Sequence, residues 1–260
     1  YFGIYSNGPA LITNNRIEHP LNNTEWTATT IVGGQNGIQI GSGQCTITNN
    51  RFYATGAADI RNGTLKNSCI DYKLEDVATG AMASNTIISG NYCEGHYYGF
   101  TATEIENVLI SNNIFKMYCG AAINIVGASA LASNANRVTI TDNLIGEVDS
   151  ATTAASATYQ SLGGIVFSLT GSGWYLDAIN ISRNIFNRKW SSIANGTAKT
   201  AAKWAIYMYN VESSAYAREV YVRDNILNAQ KDGEIMISSY YGENSFIQEV
   251  NGTESIDDFA

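Results

Sequence analysis

Proline is nearly absent from this chain, with two in 260 residues. Histidine is as rare, with two, and there are four cysteines. Charged residues make up only 15% of the whole, and the net charge is −8. Each shortage excludes something. A negative chain with so few Lys and Arg has no basic face for nucleic acid, whose recognition starts from clustered positive charge. No apolar run approaches the roughly 20 residues needed to span a bilayer, so membrane insertion is not expected. The cysteine spacing matches no zinc motif, and neither a metal nor another cofactor is expected. No linker interrupts the chain, which excludes two globular halves; residues 1–260 are expected to form one elongated domain. The first residue is Tyr rather than Met, no signal peptide is visible, and neither end carries the polar cap that solenoids need. The chain is therefore expected to be a fragment of a longer protein.

What is present is a repeat. Asn136 to Ile145 is one copy: two inward apolar residues, a bend ending in Asn, then one more inward apolar residue. Aligning the copies gives four columns. The first holds Ala10, Cys45, Thr86, Val108, Val138, Ile179 and Val220; the second Ile12, Ile47, Ile88, Ile110, Ile140, Ile181 and Val222. The third is always asparagine: Asn15, Asn50, Asn91, Asn113, Asn143, Asn184 and Asn225. The fourth holds Ile17, Phe52, Cys93, Phe115, Ile145, Phe186 and Leu227. Along the asparagine column the copies are 35, 41, 22, 30, 41 and 41 residues apart, a solenoid spacing. Within each copy apolar positions alternate, as in a half-buried strand. Two-residue hairpin links are missing between copies, so the copies are expected to stack as parallel strands about 4.8 Å apart. The asparagine is expected to take the left-handed conformation at a tight bend, its amide bonding up and down the stack. Cys45 and Cys93 fall in inward columns and read as small buried hydrophobes rather than disulfide partners.

A second strand recurs beside the first: Ile38/Ile40, Ile70/Tyr72, Phe100/Ala102, Ile123/Ile125, Ile165/Phe167, Ile206/Met208 and Ile235/Ile237, with Phe2-Gly3-Ile4-Tyr5 as its first-coil counterpart. Each coil is thus expected to carry two strand ladders and a short third. The predicted fold is all-β: a single-stranded, right-handed parallel β-helix of about eight coils with an internal asparagine ladder. Strand ladders with such a stack resemble the right-handed parallel β-helix proteins of the pectate-lyase-like superfamily. The likeness covers nearly the whole chain and speaks to architecture rather than chemistry.

Inward positions build the core, so chemistry must come from outward side chains and connections. Connections after the fourth column are long from Ile17, Phe52, Ile145 and Phe186, and short from Cys93, Phe115 and Leu227. This pattern predicts a groove with loops 53–69 and 146–164 as walls and the coils near 93–125 as floor. The floor offers Glu94, His96, Tyr97, Tyr98, Lys116 and Tyr118. Asp71, Lys73 and Glu75 share outward parity at its lower edge, and Glu104 follows on the next coil. Trp190, Tyr207 and Tyr209 extend the upper side. Aromatic rings beside carboxylates suit sugars, because flat apolar faces stack on pyranoses while carboxylates accept hydroxyl protons. Asp71, Glu75, Glu94 and Glu104 are the candidate catalytic acids; Lys73, His96, Tyr97, Tyr98, Lys116, Tyr118, Trp190, Tyr207 and Tyr209 are candidates for substrate binding. Asp71 and Glu75 lie roughly 13 Å apart on an extended strand, too far for glycoside hydrolysis, which needs carboxyls about 5–5.5 Å or 6.5–9.5 Å apart. A pair from neighbouring coils fits better.

A lyase would instead need a base such as Lys73, His96 or a Tyr, and a positive group for a uronate carboxylate. The Asn-Thr-Asp, Asp-Asp and Gly-His-Gly signatures of polygalacturonase-like enzymes are absent, with Gly95-His96-Tyr97 only a partial echo. Abundant Gly, Ser, Thr and Asn with few prolines look most similar to the β-helix body of bacteriophage tailspikes. That resemblance implies a homotrimer, on a virion tail or otherwise extracellular, that binds and cleaves a bacterial surface polysaccharide, and the candidate acids make glycoside hydrolysis the expected reaction. The alternatives are a polysaccharide lyase and a non-catalytic glycan-binding adhesin.

Overall fold

The computed structural model describes residues 2–20, 36–41, 43–55, 68–72, 83–96, 98–103, 105–116, 121–126, 134–146, 163–169, 175–186, 204–210, 216–227, 235–237 and 246–247. Among them every helical or extended element is a β-strand. The first coil runs through Phe2–Ser6, Ala10–Thr13 and Arg16–Pro20, and the chain then returns to lay Asn36–Ile40 beside Phe2–Ser6 in parallel register. The same circuit repeats upward. The outcome is a parallel β-helix with three sheets of eight, eight and seven strands. One register runs through each sheet: Ile4, Ile38, Ile70, Phe100, Ile123, Ile165, Ile206 and Ile235 stack in the first.

Alternation drives the coil closed. The second column from Ile12 to Val222 is buried throughout, as is the fourth from Ile17 to Leu227. Together with the inward residues of the first sheet they form a single continuous core. Stacking at about 4.8 Å lets each aliphatic side chain touch its counterpart above and below.

The asparagine column is a ladder. Each Nδ2 donates to the Oδ1 one coil on: Asn15 to Asn50 at 2.9 Å, then Asn91, Asn113, Asn143, Asn184 and Asn225 in sequence, at 2.9–3.0 Å. The same Oδ1 also accepts the backbone N–H of the preceding asparagine. From Asn50 onward the second Nδ2 hydrogen reaches back to a second-column carbonyl, as from Asn143 to Ile110 at 3.0 Å. A buried amide has two donors and two acceptor sites to satisfy, and this arrangement occupies all four at each internal rung.

The left-handed residue is not the one expected. It is the position before each ladder asparagine: Asn14, Asn49, Gly90, Asn112, Asp142, Arg183 and Asp224, with φ between 55° and 68°. The bend comes one residue early so that the following amide can turn inward. A second left-handed corner precedes the first column at Asn85, Asn107, Arg137, Ala178 and Glu219.

Side-chain volume is matched across the coil. Where the fourth column holds Phe52, Phe115 or Phe186, the facing corner of the first sheet is Gly37, Gly99 or Gly164; a Cβ at Gly37 would lie 2.5 Å from the Phe52 ring, and one at Gly164 would lie 2.8 Å from Phe186. Three smaller fourth-column residues meet larger partners: Ile145 is on the coil of Ala122, Leu227 on that of Ala205, and Cys93 on that of Cys69; Ile17 is the exception, facing Gly3. Cys45, Cys69 and Cys93 are buried free thiols, the first and last as their inward columns predict. Burial pushes the Cys69 thiol well up, and a hydrogen bond with Cys93 adds to it.

Candidate functional site: a groove on the third sheet

The third sheet turns the residues on either side of the buried fourth column outward. Two outward rows result. One runs Arg16, Arg51, Tyr92, Ile114, Leu144, Ile185, Ile226; the other runs Glu18, Tyr53, Glu94, Lys116. The first three coils make this face polar and aromatic. The Arg16 guanidinium sits over the Tyr53 ring, 4.8 Å from its centroid, and pairs with Glu18. The Tyr53 and Tyr92 rings lie 5.5 Å apart, tilted by 43°. The Tyr92 hydroxyl donates to the Glu94 carboxylate. Burial and the adjoining Glu94 carboxylate push the Tyr92 phenol up to about 12, so it stays a donor at neutral pH.

Next to these rows runs the left-handed corner, where one coil has no side chain. Gly90 stands between Asn49 and Asn112, and Asn49 Oδ1 would be 2.5 Å from a Cβ placed there. This gap opens onto the aromatic pair. The resulting cavity, about 540 Å³, is lined by Asn49, Arg51, Tyr53, Gly90, Asn91, Tyr92, Asn112 and Ile114. Two tyrosine rings, two exposed corner amides and a guanidinium can offer a ligand flat apolar faces, hydrogen-bond donors and acceptors, and one positive charge.

The groove expected from sequence is divided between two sheets. Glu94 and Lys116 are register neighbours on this third-sheet face, Glu94 half-buried and Lys116 exposed. Asp71 lies on the first sheet and is buried rather than exposed, accepting from Asn36 Nδ2 at 2.6 Å. Tyr207 is also on the first sheet and buried, packed with Ala121 and Val166 and with the half-buried Tyr98. Outward parity was correct for both, but the outer face of the first sheet is covered along Gln39, Asp71, Asn124, Val166 and Tyr207. His96 is 1% exposed; its ring meets Phe52 edge-on with centroids 6.5 Å apart, and its Nδ1 lies 3.1 Å from the Glu94 carbonyl. It packs under the corner and does not line the groove. Tyr209 belongs to the strand Trp204–Asn210, but its side chain is outside what is described. Lys73, Glu75, Tyr97, Glu104, Tyr118 and Trp190 lie outside the described residues, as do most of the two predicted walls.

Sequence reasoning passed over Arg51, Tyr53, Tyr92 and the Gly90 gap. The signal was present: Gly90 breaks a column otherwise made of Asn, Asp and Arg, and the positions flanking the fourth column change from charged and aromatic to aliphatic along the chain. Comparison of the chain with protein-family models, with curated proteins and with solved structures gave no match.

Proposed function

We propose that this chain is the glycan-handling β-helix of a polysaccharide depolymerase, similar to the body of a bacteriophage tailspike in the pectate-lyase-like superfamily. The observation that carries this reading is the groove: tyrosine faces, amides and a carboxylate gathered where the Gly90 gap interrupts a regular corner. Sugars are bound by such sets, with rings stacking on apolar pyranose faces and polar groups fixing hydroxyls. Hydrolysis is the chemistry we favour. Glu18 and Glu94 flank Tyr53 in register, one coil on either side, which separates their backbones by about 9.6 Å. From backbones at that separation, two flexible Glu side chains can bring their carboxyls within the roughly 6.5–9.5 Å of an inverting pair, which leaves room for water. A sugar that displaces the Arg16 guanidinium from the Tyr53 ring would lie between them. The assembly we propose is a homotrimer, on a virion tail or otherwise extracellular, acting on a bacterial surface polysaccharide. A non-catalytic glycan-binding module is the second reading, and one observation favours it: each acid is already engaged, Glu18 by Arg16 and Glu94 by Tyr92.

The test treats capsular and O-antigen polysaccharides with the chain and with Gly90→Asn. Asn suits the left-handed corner, as Asn49 and Asn112 do, and the exposed Asn49 amide, whose Oδ1 lies 2.5 Å from the new Cβ, can swing aside, so folding should be kept while the gap is filled. New reducing ends from the parent chain, lost in Gly90→Asn at unchanged melting temperature, are expected. Unsaturated-uronate absorbance would indicate a lyase, and binding without cleavage an adhesin. Equal activity in the two proteins would remove the groove from the function.

A further inference from the structure

One arginine in this groove has no ion-pair partner among the described residues. The described arginine side chains are Arg16, Arg51, Arg137, Arg183 and Arg223. Arg16 pairs with Glu18, Arg137 with Glu106, and Arg183 with Asp142. Arg51 and Arg223 have no such pair among the described residues, and of the two only Arg51 lines the cavity. The chain carries −8 overall, so carboxylates are not in short supply; among the described residues none pairs with Arg51. Arg16, in register one coil before, already has Glu18. Tyr92, in register one coil after, directs its hydroxyl to the Glu94 carboxylate.

We infer that Arg51 is a specificity-determining residue that recognises a carboxylate-bearing sugar, such as a uronate. The guanidinium is planar and presents paired N–H donors whose spacing matches a carboxylate. A neutral sugar gains little from a full positive charge that water already solvates. The parts around Arg51 divide the work: the Tyr53 and Tyr92 rings accept the pyranose faces, the Asn49 and Asn112 amides bond hydroxyls, and Arg51 takes the carboxylate. This inference rests on the reading of the groove as a glycan site and narrows the glycan to an acidic one.

The experiment uses uronate-containing capsular polysaccharides, each in native form and with its carboxyl groups chemically reduced to alcohols. Binding is measured for the parent chain, Arg51→Gln and Arg51→Lys. Arg51 is exposed, so neither substitution disturbs the core, and unchanged melting temperatures would check this. The parent is expected to bind a native polymer about tenfold or more tighter than its reduced form, the scale of one charge-assisted bidentate contact. Arg51→Gln should erase that difference by weakening only the native polymer, and Arg51→Lys should restore it in part. If native and reduced polymers bind the parent alike, or if Arg51→Gln weakens both equally, the carboxylate assignment is wrong while the glycan reading stands. If no polymer of either form binds, both fall together.

Discussion

The inside of this coil and the outer face of its third sheet are built on the same strands, yet their columns behave differently. Inside, the third column is asparagine at all seven copies and the fourth stays apolar while its size is matched by the facing corner. Outside, one residue away, the column reads Arg16, Arg51, Tyr92, Ile114, Leu144, Ile185 and Ile226. An inward residue is constrained by its neighbours above and below, because a rung that cannot bond or pack leaves both without a partner. An outward residue is held by fewer neighbours and also meets solvent or a ligand. Where an outer column changes character while the inner ones hold, the change belongs to what the face meets rather than to the fold. On the first three coils that face is charged and aromatic; on the next four it is exposed aliphatic.

The strongest way to break this contrast is to remove an inner rung. In Asn143→Ala, the Asn113 amide and backbone N–H lose their acceptor, the Ile110 carbonyl loses the Nδ2 donor, and the Asn184 Oδ1 keeps only the residue-143 backbone N–H. Buried groups left unsatisfied cost about 1–3 kcal/mol each, so the loss should be on the order of 4 kcal/mol. Asn15→Ala, at the partly buried first rung, should cost about 1 kcal/mol. Urea unfolding of both variants measures the difference. Equal losses would mean that the ladder is not a cooperative stack.

A smaller effect tests the matching of volumes. Gly164→Ala places a Cβ against Phe186 and the Ala205 carbonyl and should cost about 2 kcal/mol, the range of overpacked cores. Phe186→Leu in the same chain should recover most of that, since it recreates the Ala205 and Leu227 pairing found one coil on. A double-mutant cycle with additive terms would show that the two positions do not sense each other.

The sequence made the inner columns legible because alternation and a fixed asparagine offset are both imposed by packing. Two things were not legible. Parity separates inward from outward residues, but it does not say whether an outward face is covered; hence Asp71 and Tyr207 read as groove residues and are buried. A conserved-looking amide also drew attention from its neighbour. Asn50 or Asn143 looks like the left-handed residue, whereas Asn49 and Asp142 take that conformation. Read down its own column, the sequence Asn, Asn, Gly, Asn, Asp, Arg, Asp carries the signature of a left-handed position, and with it the Gly90 gap.

The smallest expected effect lies at the second corner, which is neither inside nor outside. Asn85, Asn107, Arg137, Ala178 and Glu219 all hold φ between 50° and 54°. A left-handed conformation costs an ordinary L-residue roughly 1–2 kcal/mol, and Asn less because its side chain bonds locally. Asn107 shows this by donating its amide to Asn85 one coil below. Ala178 has no polar group with which to offset the strain, and it is half-buried at a corner where an amide has precedent two coils earlier. Ala178→Asn should therefore raise the urea midpoint, by an amount equivalent to about 0.5–1 kcal/mol. Ala178→Gly should gain less, because glycine also frees the unfolded chain. A lower midpoint for Ala178→Asn would mean that this corner is governed by packing, as the interior is, and not by backbone conformation.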